Sequence, residues 1–301
     1  MKFCMLIFIY FICISIITAQ LTIKNYGGAI TTIEWAPNGK AMVLSVMKLD
    51  SFGKPVPPTK AYWYDIKKRT LESLYNNGGA GHVSPDGKTI AYTRRKEGGK
   101  SDIYLYDRIT GNETALVVDT VRLFGPSWSP DGKMIAFNRQ VNRAAPIQIF
   151  AINSKTKELN QITKDEMYKN YNPRWSPDGD AIVFFKEKGD GHDQIYLTDG
   201  KGRYQKNITN DTTTHNYYPD WVDANTILYT QHDGKLMTIK TDGTGRMVMD
   251  GVQANGARYN IATKQMAFIY EKSGGTIISY NIKKKTKLIL LTGEDLKKYK
   301  L

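Results

Sequence analysis

The chain has 301 residues, 41% of them hydrophobic and 11% aromatic, with a formal net charge of +13. These values describe one large soluble domain or two small ones. The only two cysteines, Cys4 and Cys13, lie near the N-terminus, which excludes a disulfide framework and thiolate chemistry from the remainder.

The first stretch differs from the rest. Met1-Lys2 precedes an apolar run over residues 3–17, then Thr18-Ala19-Gln20. A basic start, an apolar core and a small residue before a polar one predict a secretory signal peptide over residues 1–19, with Ala19 the last residue removed. The run is short for a transmembrane helix; an uncleaved N-terminal anchor is the alternative. Cys13 follows the bulky Phe11-Ile12, which argues against lipidation. The expected product is a periplasmic or secreted domain spanning residues 20–301. Its basic residues are spread, and are densest at Lys283-Lys284-Lys285, Lys287, Lys297-Lys298 and Lys300. Such charge suits peripheral contact with an anionic surface and also guards strand edges; export argues against nucleic acid.

After an expected strand at residues 21–23, the chain is built on one phrase. It reads Trp35-Ala36-Pro37-Asn38-Gly39-Lys40, Val83-Ser84-Pro85-Asp86-Gly87-Lys88, Trp128-Ser129-Pro130-Asp131-Gly132-Lys133 and Trp175-Ser176-Pro177-Asp178-Gly179-Asp180. A short apolar run follows each copy, as in Met134-Ile135-Ala136-Phe137. Proline presets φ, Asp or Asn tolerates the next position, and glycine takes the left-handed one, so each copy is strand, turn, strand. Trp221-Val222-Asp223-Ala224-Asn225 and Tyr259-Asn260-Ile261-Ala262-Thr263-Lys264 keep the frame without the turn. The reference positions 35, 83, 128, 175, 221 and 259 recur every 38 to 48 residues. Four short strands per repeat at this period predict an all-β, six-bladed β-propeller of four-stranded antiparallel blades.

Further strands are expected at 30–36, 42–47 and 61–65 in blade one, with the proline-rich 48–59 as a long connection. Blade two takes 90–93, 103–107 and 114–118; blade three 135–138, 147–152 and 159–163. Blade four takes 182–185, 194–198 and 204–209; blade five 227–230, 236–240 and 246–249; blade six 266–270, 276–281 and 287–291. Either chain end, at 21–23 or 288–290, can supply the outer strand that closes blade six. Residues 293–301 read as a short helix or a disordered tail.

The repeat also says where to look for a site. The residues just before the reference positions are Glu34, His82, Ser127, Arg174, Asp220 and Arg258. Neighbouring strand residues face opposite ways, so with the aromatic wedged between blades these six face the channel. Arg258 is expected between Asp220 and Glu34, and Arg174 between Ser127 and Asp220, either as a polar binding ring or as structural ion pairs. One step further out lie Phe124, then Asn170, Tyr171 and Asn172, then His215, Tyr217 and Tyr218. Rings beside amides suit a sugar face or a peptide, or simply pack the loops.

Catalytic signals are thin. None of the four histidines stands at a metal-ligand spacing, and no nucleophile elbow or phosphate loop occurs. Asp190-Gly191-His192-Asp193 reads as a turn rather than a calcium loop. No catalytic residue, cofactor or metal is assigned.

Trp128-Ser129-Pro130-Asp131-Gly132-Lys133 with its Ile-Ala-Phe, the strand Ile103-Tyr104-Leu105-Tyr106-Asp107, and Tyr171-Asn172-Pro173-Arg174-Trp175-Ser176-Pro177-Asp178-Gly179 resemble the repeat of TolB-type β-propellers. The resemblance implies this fold over nearly all of residues 20–301. TolB itself carries an α/β domain before its propeller, and the sequence shows no room for one between signal and first repeat. The resulting expectation is a monomeric, non-catalytic module that binds an envelope protein or a small or saccharide ligand. The competing expectation is a polysaccharide lyase or hydrolase using His82, Arg174, His215 and Arg258 on an acidic sugar.

Overall fold

A computed structural model describes residues 28–50, 55–187, 192–254, 256–270, 276–282, 284–292 and 295–296. The signal-peptide segment, the strand at 21–23, the Asp190-Gly191 turn, Lys283 and most of the C-terminal tail lie outside the described residues.

The repeated phrase folds as a tight turn. Gly39, Gly87, Gly132 and Gly179 have φ of +65°, +75°, +70° and +84°, a region that strains any residue with a Cβ. Serine contributes what proline and glycine do not. Ser129 Oγ donates to Asp131 Oδ1 at 2.6 Å and accepts from the Met134 N–H at 2.9 Å. Asp131 Oδ1 also accepts from the Lys133 N–H. The same staple recurs at Ser84 and Ser176. Ala36 takes the serine's place in the first copy, where Asn38 still accepts from Lys40 N–H.

These turns join the two innermost strands of consecutive four-stranded antiparallel sheets. Blade one is Gly28–Trp35, Ala41–Leu49, Pro55–Asp65 and Thr70–Asn76. Blade two is His82–Val83, Thr89–Arg95, Ser101–Asp107 and Glu113–Val117. Blade three is Arg122–Trp128, Met134–Gln140, Gln148–Asn153 and Leu159–Gln161. Blade four is Lys169–Trp175, Ala181–Glu187, Gln194–Asp199 and Lys206–Asn207. Blade five is Asn216–Asp223, Thr226–Gln231, Lys235–Lys240 and Met247–Gln253. Blade six is Ala257–Asn260, Gln265–Tyr270, Thr276–Asn281 and Thr286–Leu291. The predicted six-bladed propeller is the observed fold.

Both faces of each sheet are apolar because both are covered. Nearly all the buried apolar side chains of the described residues fall into six clusters, each held between two neighbouring blades. Blade one packs on blade six through Ile30, Leu44 and Tyr64 against Ile277, Leu290 and Leu291. Tyr64 Oη donates to the Leu290 carbonyl at 2.5 Å, and Asn260 Nδ2 to the Ala36 carbonyl at 3.0 Å.

One local reading is corrected, and two points the sequence left open are filled in. Residues 48–59 are chiefly strand rather than a long connection: Lys48 pairs Val56 and Met47 pairs Thr59. Pro57 and Pro58 lack an N–H and stand unpaired in the bulge between those pairs. Closure was open between the two chain ends; among the described residues the outer strand of blade six is Thr286–Leu291, from the C-terminal side. Finally, the inner strand of blade two is two residues long. Its approach is Gly78-Gly79-Ala80-Gly81, where a Cβ on Gly81 would meet the Ala91 carbonyl at 2.4 Å.

Candidate functional site

The inner strands all run down the channel in one direction, and a bulge in each of blades three to five aims the ring residue inward. Gly125, Asn172 and Tyr218 have φ of +63°, +54° and +51°. Each precedes a proline, then Ser127, Arg174 or Asp220, and the strand register shifts across each of these bulges. Gly256 stands at the matching place before Arg258, with φ +85°.

All six predicted ring residues line the channel. It widens to a cavity of about 440 Å³ at the mouth, and to one of about 300 Å³ at the opposite end among the Trp-Ser-Pro turns. Glu34, His82 and Arg174 line both and form the waist between them.

Pairing at the waist differs from the expected neighbour-to-neighbour ring. Arg174 Nη2 of blade four crosses the channel to Glu34 Oε2 of blade one at 2.5 Å. Arg258 Nε lies 3.4 Å from the same oxygen. Asp220, expected to pair with Arg258, instead accepts the backbone N–H groups of Tyr259 at 2.9 Å and Trp221 at 3.0 Å. The reason is reach: a bulge-aimed guanidinium is long enough to cross, whereas an aspartate satisfies its oxygens on nearby amides.

Three further contacts follow one rule, from a reference residue to the ring residue of the preceding blade. The Trp35 indole donates to the Arg258 carbonyl at 2.9 Å and the Trp221 indole to the Arg174 carbonyl at 3.0 Å. The Trp128 N–H donates to His82 Nδ1 at 2.9 Å. His82 therefore carries its proton on Nε2 and is neutral. Burial, opposed by Glu34 and reinforced by Arg174 and Arg258, pushes its pKa down to about 4. Burial tends to raise the Glu34 carboxyl, but Arg174, with His82 and Arg258, holds it below the ordinary value. For Asp220 burial prevails over the two arginines, and its pKa is raised.

The mouth residues part company. Asn170 is fully buried and donates to the Ile147 carbonyl at 3.2 Å and Asp165 Oδ2 at 3.0 Å. It belongs to a clasp that the sequence carries twice. Gln148 accepts from Thr163, fifteen residues on, and from Asn170, twenty-two on. Gln194 accepts likewise from Thr209 and Asn216. This equal spacing was a legible signal for how the mouth loops are pinned. Asn172 lines the mouth cavity.

The aromatic residues form one row of rings. Centroids lie 6.4 Å apart for Phe124–Tyr171, 4.9 Å for Tyr171–Phe185 and 5.7 Å for Phe185–Tyr217. Tyr217 stacks on His215 at 5.6 Å, which in turn meets His192 at 5.9 Å and His232 at 5.5 Å. Tyr218 sits beside Phe185 and Tyr217 and is 39% exposed. His215 Nδ1 is 3.1 Å from Asp193 Oδ2. His82 lines both cavities and His215 neither, so the four residues of the expected lyase site are not brought to one place. Among the described residues no group of three or more His, Cys, Asp or Glu is placed to hold a metal ion.

A family model described as the TolB beta propeller domain matches residues 79–276. The chain belongs to the TolB β-propeller family. The crystal structure of TolB from Acinetobacter baumannii superposes with a TM-score of 0.67 at 18% identity, covering 84% of this chain and 64% of that one. The oligogalacturonate lyase of Vibrio parahaemolyticus gives 0.60 at 14%, covering 89% and 78%. Likeness at these identities is one of fold. In sequence, the dipeptidyl-peptidase 5 of Porphyromonas endodontalis is 44% identical over 66 residues, 18% of this chain and 9% of that one. The match to a second curated relative, from Agrobacterium fabrum, covers 33% of its length, so this TolB-family chain spans a third or less of these two relatives. The mouth of this chain also carries a set of basic residues outside the repeat motif, Arg95, Lys100 and Arg122, which ring-based sequence reasoning missed. They stand on the hairpin end of blade two and the first residue of blade three's inner strand, away from the reference positions.

Proposed function

We propose that this TolB-family propeller is an exported, non-catalytic binding module, whose envelope partner or ligand sits on the aromatic row of blades three to five. Tyr218 carries the reading. It holds a left-handed backbone where blades three and six place glycine, and it keeps its ring exposed. A bulky residue there costs on the order of 1 kcal/mol of strain, which suggests that the exposed ring is retained for contact rather than for stability. Phe185 and Tyr217 pack against it, with Tyr171 behind Phe185, as rigid rings of the kind that anchor interfaces. Export rests on the N-terminal signal pattern, and no described helix is long and apolar enough to cross a membrane.

The test compares the parent with Tyr218→Gly and Tyr217→Ala in affinity capture from the native envelope, with thermal unfolding alongside. The expected outcome is loss of the captured partner from both variants, with the unfolding midpoint of Tyr218→Gly unchanged or raised. Undiminished capture by both variants refutes the reading.

A further inference from the structure

The rim of the mouth cavity holds cationic groups that neither the aromatic row nor the waist accounts for. We propose that this cavity, where blades two and three meet the channel, is an anion site for a small ligand bearing two or more carboxylates.

Six lysine and arginine side chains line it, against the single carboxylate of Glu34. Lys96 is already paired with Asp102 at 2.7 Å. At the floor, Arg174 and Arg258 share Glu34, and Asp220 lines the opposite cavity with its oxygens on two backbone amides. At the rim, Arg95, Lys100 and Arg122 are exposed, and none has an ion-pair partner among the described residues. Arg122 is held in place: its guanidinium lies 4.5 Å over the Phe124 ring and 3.5 Å from Gln140 Oε1. A guanidinium stacked this way keeps in-plane N–H groups for a planar carboxylate.

The space exists because the inner strand of blade two is cut to two residues and approached through small residues; Gly79 and Ala80 form part of the wall. A volume of about 440 Å³ suits a compact organic molecule. Phe124 and Pro126 give it an apolar wall, which favours a carbon skeleton over an inorganic ion. Two separated cationic stations, floor and rim, favour a ligand with at least two acidic groups. Acidic sugars and acidic peptides share that chemistry. The site shares Phe124 with the aromatic row, but neither Tyr217 nor Tyr218 lines it, so the two surfaces are tested through different residues.

Isothermal titration of the full chain at low salt tests this. The probes are citrate, a diuronide and the dipeptide Asp-Glu, with inorganic phosphate and an uncharged disaccharide as controls. At least one of the three oligocarboxylates is expected to bind. Its affinity should fall at least tenfold in the triple variant Arg95→Gln, Lys100→Gln, Arg122→Gln, which stays folded with a midpoint close to the parent's, since these exposed side chains hold no ion pair and only the Arg122 contacts to Phe124 and Gln140 are lost. Added salt should weaken binding in the parent. The preferred probe identifies the source, sugar or peptide. Tyr217→Ala and Tyr218→Gly should bind as the parent does, so failure of the partner surface and failure of this site are separable. No binding by any oligocarboxylate, equal binding by the triple variant, or phosphate binding as tightly as the best oligocarboxylate overturns the proposal.

Discussion

Acidification acts directly on the waist of the channel. His82 accepts the Trp128 N–H on Nδ1, so a second proton on the ring breaks the clasp between blades two and three. The folded pKa is about 4, whereas an unfolded histidine titrates near 6.5. As pH falls, the unfolded chain therefore takes up the proton first. Stability is lost from about pH 6.5 downward and levels off below the folded pKa. The gap corresponds to about 3 kcal/mol, an upper figure because the ring remains partly open to the cavity. His82→Asn keeps a side-chain acceptor for the Trp128 N–H and does not titrate. Asp220, whose pKa is raised, protonates earlier in the folded chain and gains stability as pH falls; it does so in both proteins and cancels from their difference. Urea unfolding at half-unit steps from pH 7 to pH 4 gives that difference. The parent should lose up to about 3 kcal/mol relative to the variant across the window. Parallel profiles refute a neutral, clasping His82.

Glu34→Gln removes the carboxylate shared by buried Arg174 and half-buried Arg258 and should cost up to about 3–5 kcal/mol, the figure for full burial. Arg258→Ala should cost clearly less in thermal unfolding, because Arg174 keeps Glu34 and Asp220 keeps its two amides; equal losses contradict the transannular pair. Gly132→Val forces a β-branched residue to φ +70° and should cost about 1–3 kcal/mol. Thr263→Val, whose hydroxyl makes one bond to Asn260, should cost less, and equal urea midpoints count against this reasoning.

Much of the architecture was legible because the turn phrase is a local device. Proline, aspartate and glycine dictate backbone angles without reference to the rest of the chain, so their spacing reports blade number. The direction of the ring residues was also legible, since alternation along a strand is local. What each ring side chain bonds to was not. Arg174 meets Glu34 because blades one and four face each other across the channel, a relation set by ring geometry and invisible to neighbour counting. Asn170 looked like a mouth ligand by its place in the loop; the buried glutamine–threonine clasp that consumes it joins residues 15 and 22 positions apart. Arg95, Lys100 and Arg122 escaped notice because charged residues at hairpin ends ordinarily face water. Here the shortened inner strand of blade two leaves a cavity beside them.

Each blade consists of four strands in unbroken sequence, and this has a consequence for how the ring comes into being. Taken from the N-terminus, blade one is complete at Asn76, blade two at Val117 and blade three at Gln161, and each can dock on the one before. Contacts within and between successive blades are short in sequence, so the topology is more local than that of most all-β proteins. Among the described residues, no strand of the first blade waits for a late segment to complete it. The circle is then joined by side chains: bonds spanning 223 to 226 residues at the junction of blades one and six, and the Arg174–Glu34 pair spanning 140. The topology therefore predicts assembly in chain order, with circularity as its last event.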